Sequence, residues 1–308
     1  MKIYITAKNG LVGKNLIENN QLQQHDLIAT SHAELDLTDY SAVKSFLAKT
    51  KPDIIIHCAG RVGGIQANIK SPYDFFCDNA LMGINIVKAG KELGIKKLLN
   101  LSSSCSYPRD YKNPLKEEYV LQGELEPTNE GYALAKLSVL RMCEYVSKQF
   151  PDFQYKTLIP CNLYGRHDKF SPQNSHMIPA VIRKIYEAQK NNIETVDIWG
   201  DGTAHREFMY AGDLADGIAY TINNYETAPT LMNIGLGYDY TIDEYYKTVA
   251  DVIGWNGKFE HDLTKPAGMK QKLVDISKQS AFGWQPKTTL IEGIKKTYSY
   301  YINEYKGE

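Results

Sequence analysis

The stretch Thr6-Ala7-Lys8-Asn9-Gly10-Leu11-Val12-Gly13 follows a short apolar run, Lys2-Ile3-Tyr4-Ile5, and opens a helical pattern. Glycines at 10 and 13 suit a tight strand-to-helix turn. Gly10 lets a pyrophosphate approach the backbone, and Gly13 lets the helix pack against the sheet. The amides of the helix N-terminus, at Leu11 and Val12, then face the phosphates. Ala7 stands where such a turn has its first glycine. The reading gains weight from its place directly after the first strand, with further strand–helix units behind it.

Outward from this turn, aliphatic runs at 2–6, 26–30, 53–59, 97–102, 156–161, 196–199 and 231–235 alternate with helical patterns at 11–21, 40–50, 73–93, 131–149, 176–190 and 211–224. Several runs are apolar on both faces, as parallel strands covered by helices on each side must be. The alternation predicts an α/β fold with a doubly wound parallel sheet and right-handed crossovers. After about residue 237 the rhythm changes: a helix at 241–253, a short strand around 258–261, irregular chain near Pro266-Ala267-Gly268 and a last helix at 289–305. That helix carries Tyr298, Tyr300, Tyr301 and Tyr305, a stripe read as packing. No linker or repeat interrupts the chain, so the smaller C-terminal part is expected to pack closely on the sheet.

The chain has 308 residues, 43% hydrophobic and 23% charged, with a formal net charge of -1. It can bury a full core, and it lacks the basic field of a general nucleic-acid binder. Cys58, Cys77, Cys105, Cys143 and Cys161 are odd in number and lack CxxC spacing, which argues against a disulfide framework or a zinc site. No apolar run approaches the ~20 residues that span a bilayer. The N-terminus reaches Gly10 too soon for a signal peptide's apolar segment. A reducing cytoplasm is the simplest location.

The end of the second strand bears on cofactor choice. NAD-specific folds place a carboxylate there for the ribose 2′-hydroxyl. Here the chain runs Ala29-Thr30-Ser31-His32, with no acid before Glu34 and with Lys8 nearby, which favours NADP(H). Asp36-Leu37 either borders an adenine pocket or provides the N-cap of the next helix.

Chemistry is carried by Glu130-Gly131-Tyr132-Ala133-Leu134-Ala135-Lys136. Tyr132 and Lys136 share one helix face. A nearby ammonium and an oxidised nicotinamide are expected to lower the phenol from its ordinary value near ~10. The preceding strand delivers Ser102-Ser103-Ser104-Cys105 at its carboxyl end, where open α/β sheets bind ligands. A hydroxyl there can hold a carbonyl while Tyr132 protonates it.

Longer stretches carry a family resemblance: Val62-Gly63-Gly64-Ile65, Ser103-Ser104-Cys105 with Tyr107-Pro108, Leu125-Glu126-Pro127-Thr128-Asn129-Glu130, Asn162-Leu163-Tyr164-Gly165, Asn174-Ser175-His176 with Ile178-Pro179-Ala180, and Arg206-Glu207-Phe208. Over nearly its whole length the sequence resembles the GDP-L-fucose synthase family of extended short-chain dehydrogenases/reductases. The resemblance implies a Rossmann-type domain over 1–165 plus about 205–237. It also implies a smaller α/β nucleotide-sugar domain over about 166–204 plus 238–308. The implied reaction is NADPH-dependent C4 reduction, with C3/C5 epimerisation, of a GDP-linked 4-keto-6-deoxy sugar in surface-polysaccharide precursor synthesis, carried out by a homodimer.

By position, the resemblance makes Tyr132 the proton donor to the C4 oxygen, Ser103 its hydrogen-bonding partner, and Lys136 the residue that tunes the phenol and holds the nicotinamide ribose of the cofactor. Cys105 and His176 match an epimerase base and acid; by themselves they read as a packed thiol and a helix-start polar residue. Ala7, Asn9, Gly10, Leu11, Val12, Gly13, His32, Asp36, Leu37, Ala59 and Gly60 are implied cofactor neighbours. So are Leu101, Ser102, Pro160, Asn162, Leu163 and His176. Ser104, Asn162, Lys184, Trp199, Arg206 and Lys272 are implied substrate contacts, Lys272 at the pyrophosphate.

The sequence departs from the family pattern at several positions. Asn9 and His32 stand at two arginine positions, Lys184 at another, Pro266-Ala267-Gly268 at a Pro-Asp-Gly, and Gly131 and Arg166 at prolines. This drift in the outer shell suggests a relative that acts as a C4 reductase alone on a GDP-4-keto-6-deoxy-heptose, leaving Cys105 and His176 idle. A non-catalytic NADP(H) sensor is disfavoured because Tyr132 and Lys136 are both present. A dehydratase is disfavoured because Ser103-Ser104-Cys105 lacks an acidic pair.

Overall fold

The computed structural model describes residues 1–172, 175–265 and 269–305. The readings at Asn174 and at Pro266-Ala267-Gly268 lie outside the described residues.

The chain opens with β1 (Lys2–Thr6), α1 (Leu11–Ile17), β2 (Asp26–Thr30), α2 (Tyr40–Thr50) and β3 (Ile54–His57). It continues with α3 (Ile65–Lys70), α4 (Pro72–Glu92), β4 (Lys97–Leu101), α5 (Glu130–Gln149) and β5 (Gln154–Pro160). Next come β6 (Asn162–Tyr164), α6 (Met177–Lys190), β7 (Thr195–Trp199), β8 (His205–Arg206), β9 (Phe208–Tyr210) and α7 (Ala211–Asn223). The last elements are β10 (Leu231–Ile234), β11 (Tyr240–Thr241), α8 (Ile242–Ile253), β12 (Lys258–Asp262), β13 (Gln271–Lys272), α9 (Ser277–Phe282) and α10 (Leu290–Asn303).

Among the described residues the main sheet has six strands in the order β10-β5-β4-β3-β1-β2, every pairing parallel. It is the Rossmann-type doubly wound sheet expected. Strand order reverses at β1 and β3, so their carboxyl ends open a crevice. Pleating sends Ile3, Ile5, Ile54, Ile56 and Leu99 toward α1, α7 and α9. The alternate residues Tyr4, Ile55 and Leu98 meet α2, α4 and the Val139-Cys143-Val146 side of α5. Helices α4 and α5 lie very close, because a Cβ on Gly83 would meet Val139 Cγ2 at 2.2 Å.

A third cluster lies apart from these two. Ile178, Val181, Ile182 and Ile185 of α6 pack with Val196, Ile198, Tyr245, Val249 and Ile294. The α10 tyrosines join it, Tyr301 stacking on Phe170 with centroids 4.6 Å apart.

One strand departs from expectation. The run at 196–199 leaves the main sheet, and β7 pairs in parallel with β12. Its burial alternates, with Val196 and Ile198 inside and Thr195, Asp197 and Trp199 exposed, so it cannot be a doubly covered strand. The short strands β6, β8, β9, β11 and β13 were not legible either. Strand β8 pairs with β11 and β13, which brings the C-terminal segment beside Arg206. Among the described residues no helix is long and apolar enough to cross a membrane.

Candidate active site

The first turn is built as its glycines require. Gly10 is the N-cap of α1 and its N–H donates to Ala7 O at 3.0 Å. A Cβ on Gly13 would sit 2.2 Å from that same oxygen, so only glycine allows the helix this close. Ala7 adopts φ 57, the left-handed region that glycine enters freely and alanine only at a cost of roughly 1–2 kcal/mol. The conformation of the missing glycine is therefore kept. Thr6 Oγ1 accepts from Cys58 N (3.0 Å) and Ala59 N (2.9 Å), tying β1 to the loop after β3. Asn9 is exposed, and Leu11 and Val12 are half-buried at the helix start.

At the end of β2, Glu34 folds back on the turn. Its carboxylate accepts from Ser31 N and Oγ, each at 2.8 Å, and pairs with Lys8 Nζ at 2.5 Å. The Lys8 hydrogen bond, followed by those from Ser31, holds the carboxyl at about 2. His32 projects into solvent. Asp36 caps its own turn through Thr38 N (2.9 Å) and Oγ1 (2.7 Å). The N-cap of α2 is Asp39, which accepts from Ala42 N, so the capping alternative for Asp36 is corrected. Leu37 is buried, with its carbonyl bonded to Asn85.

Tyr132 and Lys136 lie on one face of α5, the ammonium 5.9 Å from the phenol ring centroid. Lys136 Nζ donates to Leu101 O (3.1 Å), at the end of β4, and to Ala59 O (3.3 Å), in the loop after β3. Gly60 leaves room for it, since a Cβ there would come within 3.4 Å of Nζ. Burial brings the Lys136 ammonium down to about 8. The Tyr132 phenol is raised, not lowered as expected. Its own desolvation is the largest cause, the Cys105 sulfur adds to it, and the Ser103 hydrogen bond only partly offsets them. A phenol held protonated is suited to donate.

Cys105 sits beside this group on the loop after β4. Its N–H donates to Ser103 Oγ (3.2 Å), while Sγ accepts from Asn129 Nδ2 (3.2 Å) and Lys272 Nζ (3.3 Å). Burial opposes ionisation, yet the Lys272 charge and the Ser103, Lys272 and Asn129 hydrogen bonds outweigh it and lower the thiol. His176, the N-cap of α6, has Nδ1 3.4 Å from Oδ1 of Asp168. Desolvation would lower the imidazole, but Asp168 and the Cys105 sulfur raise it. The Cys105 sulfur thus acts on the imidazole across the site.

The predicted substrate contacts fall into separate groups. Lys184 Nζ bonds Asp197 Oδ1 (3.0 Å) and lies 5.9 Å from the Trp199 ring, which is half exposed. Arg206 is on β8, in register with Lys272 on β13. Lys272 therefore joins the catalytic loop rather than the Lys184–Trp199 group. Ser104 is buried, and Ser102 Oγ turns inward to Ser106 Oγ at 3.1 Å. Asn162 Nδ2 holds Glu207 O (3.0 Å), beside buried Pro160 and half-buried Leu163. No local periodicity marks Asp168 in the sequence, and Asn129 is legible there only as part of a family stretch.

A parallel sheet with this first turn, and Ser103, Tyr132 and Lys136 gathered at its carboxyl edge, defines an extended short-chain dehydrogenase/reductase. The chain belongs to the NAD dependent epimerase/dehydratase family, whose model matches residues 3–235. It is 52% identical over 304 residues to a GDP-L-colitose synthase of Yersinia pseudotuberculosis, covering 99% of each chain. It is 48% identical to a GDP-L-fucose synthase of Azorhizobium caulinodans, over 98% of this chain and 96% of the relative. Among solved structures it resembles a GDP-mannoheptose C4 reductase of Campylobacter jejuni with NADP bound: TM-score 0.87, 34% identity, 98% of both chains.

Proposed function

We propose that this enzyme is an NADPH-dependent C4 reductase of a GDP-linked 4-keto-6-deoxy sugar that first epimerises C3 and C5. The observation that carries this reading is that Cys105 sits against the Ser103–Tyr132 pair, its N–H donating to Ser103 Oγ at 3.2 Å, while its sulfur lies near enough to raise the His176 imidazole. Residues 1–165 with 205–237 are assigned to the cofactor, and 166–204 with 238–308 to the nucleotide sugar. Exposed Tyr73, Phe76, Leu81, Leu134 and Tyr145 on α4 and α5 support a homodimer. A cytoplasmic location and a role in surface-polysaccharide precursor synthesis go with the reading.

The first turn fits a dinucleotide: Gly10, Gly13 and the α1 amides give phosphate oxygens room and donors. NADPH, when bound, supplies hydride to C4. Ser31 at the end of β2 and Lys8 from the turn after β1 flank Glu34, where a ribose 2′-phosphate would need donors. Tyr132 gives its proton to the C4 oxygen, Ser103 holds that oxygen, and Lys136 fixes the Tyr132 face of α5 against the crevice. Protons beside the ketone are acidic because the resulting enolate is delocalised. The Cys105 thiolate takes one, the electron pair moves onto the ketone oxygen, and His176 returns a proton from the opposite face.

The deciding experiment incubates the enzyme in D2O with NADPH and, in separate reactions, GDP-4-keto-6-deoxymannose and a GDP-4-keto-6-deoxy-heptose. Stoichiometric NADPH oxidation with deuterium at C3 or C5 is the expected result. NADPH oxidation giving unlabelled product establishes the second reading, a C4 reductase alone. The resemblance to the mannoheptose C4 reductase supports that reading.

A further inference from the structure

We infer that Lys272 is a positioning residue for Cys105: it holds the sulfur as a thiolate in the substrate-free enzyme, so that the base is charged before substrate arrives. This rests on the reading of Cys105 as the epimerase base, and gives Lys272 a role other than the pyrophosphate contact the sequence suggested.

The placement of Lys272 is fixed by backbone. Strand β13 pairs with β8, setting Lys272 opposite Arg206. The next residues are pinned from both sides. Leu273 N donates to Asn113 Oδ1 (3.0 Å), and Val274 N donates to the buried carboxylate of Glu207 at 2.9 Å. Leu115 N donates to Leu273 O (2.7 Å), and Asp275 N donates to Leu115 O (2.9 Å). Lys272 is thus carried by a braced segment.

What that segment presents is unusual for a structural lysine. Lys272 as a residue is half-buried, pairs with no carboxylate among the described residues, and donates from Nζ to Cys105 Sγ at 3.3 Å. A neutral thiol is a weak acceptor and would leave a partly desolvated cation poorly satisfied. A thiolate satisfies it, and Asn129 Nδ2 at 3.2 Å adds a second donor. The other titratable groups facing the sulfur are Tyr132 on α5 and His176 before α6. A phenol held protonated adds no negative charge, and a protonated imidazole favours the thiolate further. The direction of the thiol's ionisation agrees with this geometry.

The test follows iodoacetamide alkylation of Cys105 against pH in the full-length enzyme, with peptide mass spectrometry separating this cysteine from the other four. Wild type is expected to show a midpoint below the free-thiol value of ~8.5. Lys272→Met is expected to raise it by about one to three units, and Lys272→Arg to restore it. An unchanged midpoint in Lys272→Met overturns the proposal. Lys272→Gln provides the same readout if the methionine variant does not fold by circular dichroism. A midpoint that depends on Lys272, in an enzyme exchanging no deuterium at C3 or C5, upholds the ion pair and removes the epimerase reading. Exchange without such dependence does the reverse.

Discussion

His176 Nδ1 lies 3.4 Å from Oδ1 of Asp168, a buried carboxylate whose Oδ2 has no hydrogen-bond partner among the described residues. A carboxylate beside one imidazole nitrogen fixes ring orientation and favours the cation. On the proposed reading of His176 as the epimerase acid, Asp168 is a positioning residue that keeps the imidazole oriented and protonated.

Asp168→Asn should move the alkaline limb of C3/C5 deuterium exchange to lower pH, because the imidazole loses its proton earlier. The stability consequence has a definite sign. The native imidazole is raised above its ordinary 6.5. Its contribution is present in full below ~6.5 and is lost as pH climbs through the higher native value. The stability gap between wild type and Asp168→Asn in urea unfolding should thus be wider at pH 6 than at pH 8. A gap that widens toward alkaline pH contradicts the pairing.

Lys136 has the opposite sign. Burial depresses its ammonium from 10.5 to about 8. The unfolded chain binds this proton more tightly, so folding is penalised below about 8 and the penalty fades as pH rises toward 10.5. Lys136→Met should abolish NADPH oxidation by roughly 10²–10⁴-fold, as loss of proton-transfer support does. The stability of wild type relative to this variant should rise between pH 8 and pH 10, as measured by thermal melts. A flat difference would mean that the ammonium is not desolvated.

The first turn separates strain from space. Ala7→Gly relieves the left-handed backbone at φ 57, and after the added unfolded-state freedom of glycine it should stabilise by about 0.5–1 kcal/mol. Gly13→Ala drives a Cβ to 2.2 Å from Ala7 O and must push α1 off the turn. Its KM for NADPH should rise at least about tenfold, or 1.4 kcal/mol. Steady-state kinetics with unchanged KM would show that the turn does not meet the cofactor.

Glu34 competes for Lys8 and Ser31 at the end of β2. Glu34→Ala should release both and raise the NADPH-to-NADH ratio of kcat/KM about twofold to fivefold, the scale of exposed charge contacts. Lys8→Met should lower the same ratio. Equal ratios across the three proteins would place 2′-phosphate recognition elsewhere.

Features written in short, regular spacings were readable from the chain. Gly10 and Gly13 serve one turn, and Tyr132 and Lys136 one helix face, because local backbone geometry alone relates residues three or four apart. The strand at 195–199 shows where that logic stops. Its alternating burial was present in the sequence, but the partner that accepts it, β12, is some sixty residues away. The rising phenol of Tyr132 was missed for a related reason. Desolvation depends on everything packed around the ring, and the proximity of Lys136 in sequence says nothing of it.

The sequence by itself determined the parallel sheet, the first turn, the Ser103–Tyr132–Lys136 group and the family, all through local periodicity and contiguous motifs. Only the tertiary structure decided that Lys272 meets Cys105 across 167 positions and that Asp168 backs His176. Those contacts arise where β13 pairs with β8 and where the loop before α6 folds inward. Burial then makes single charges count, because an ammonium or carboxylate shielded from water governs the protonation of whatever it touches.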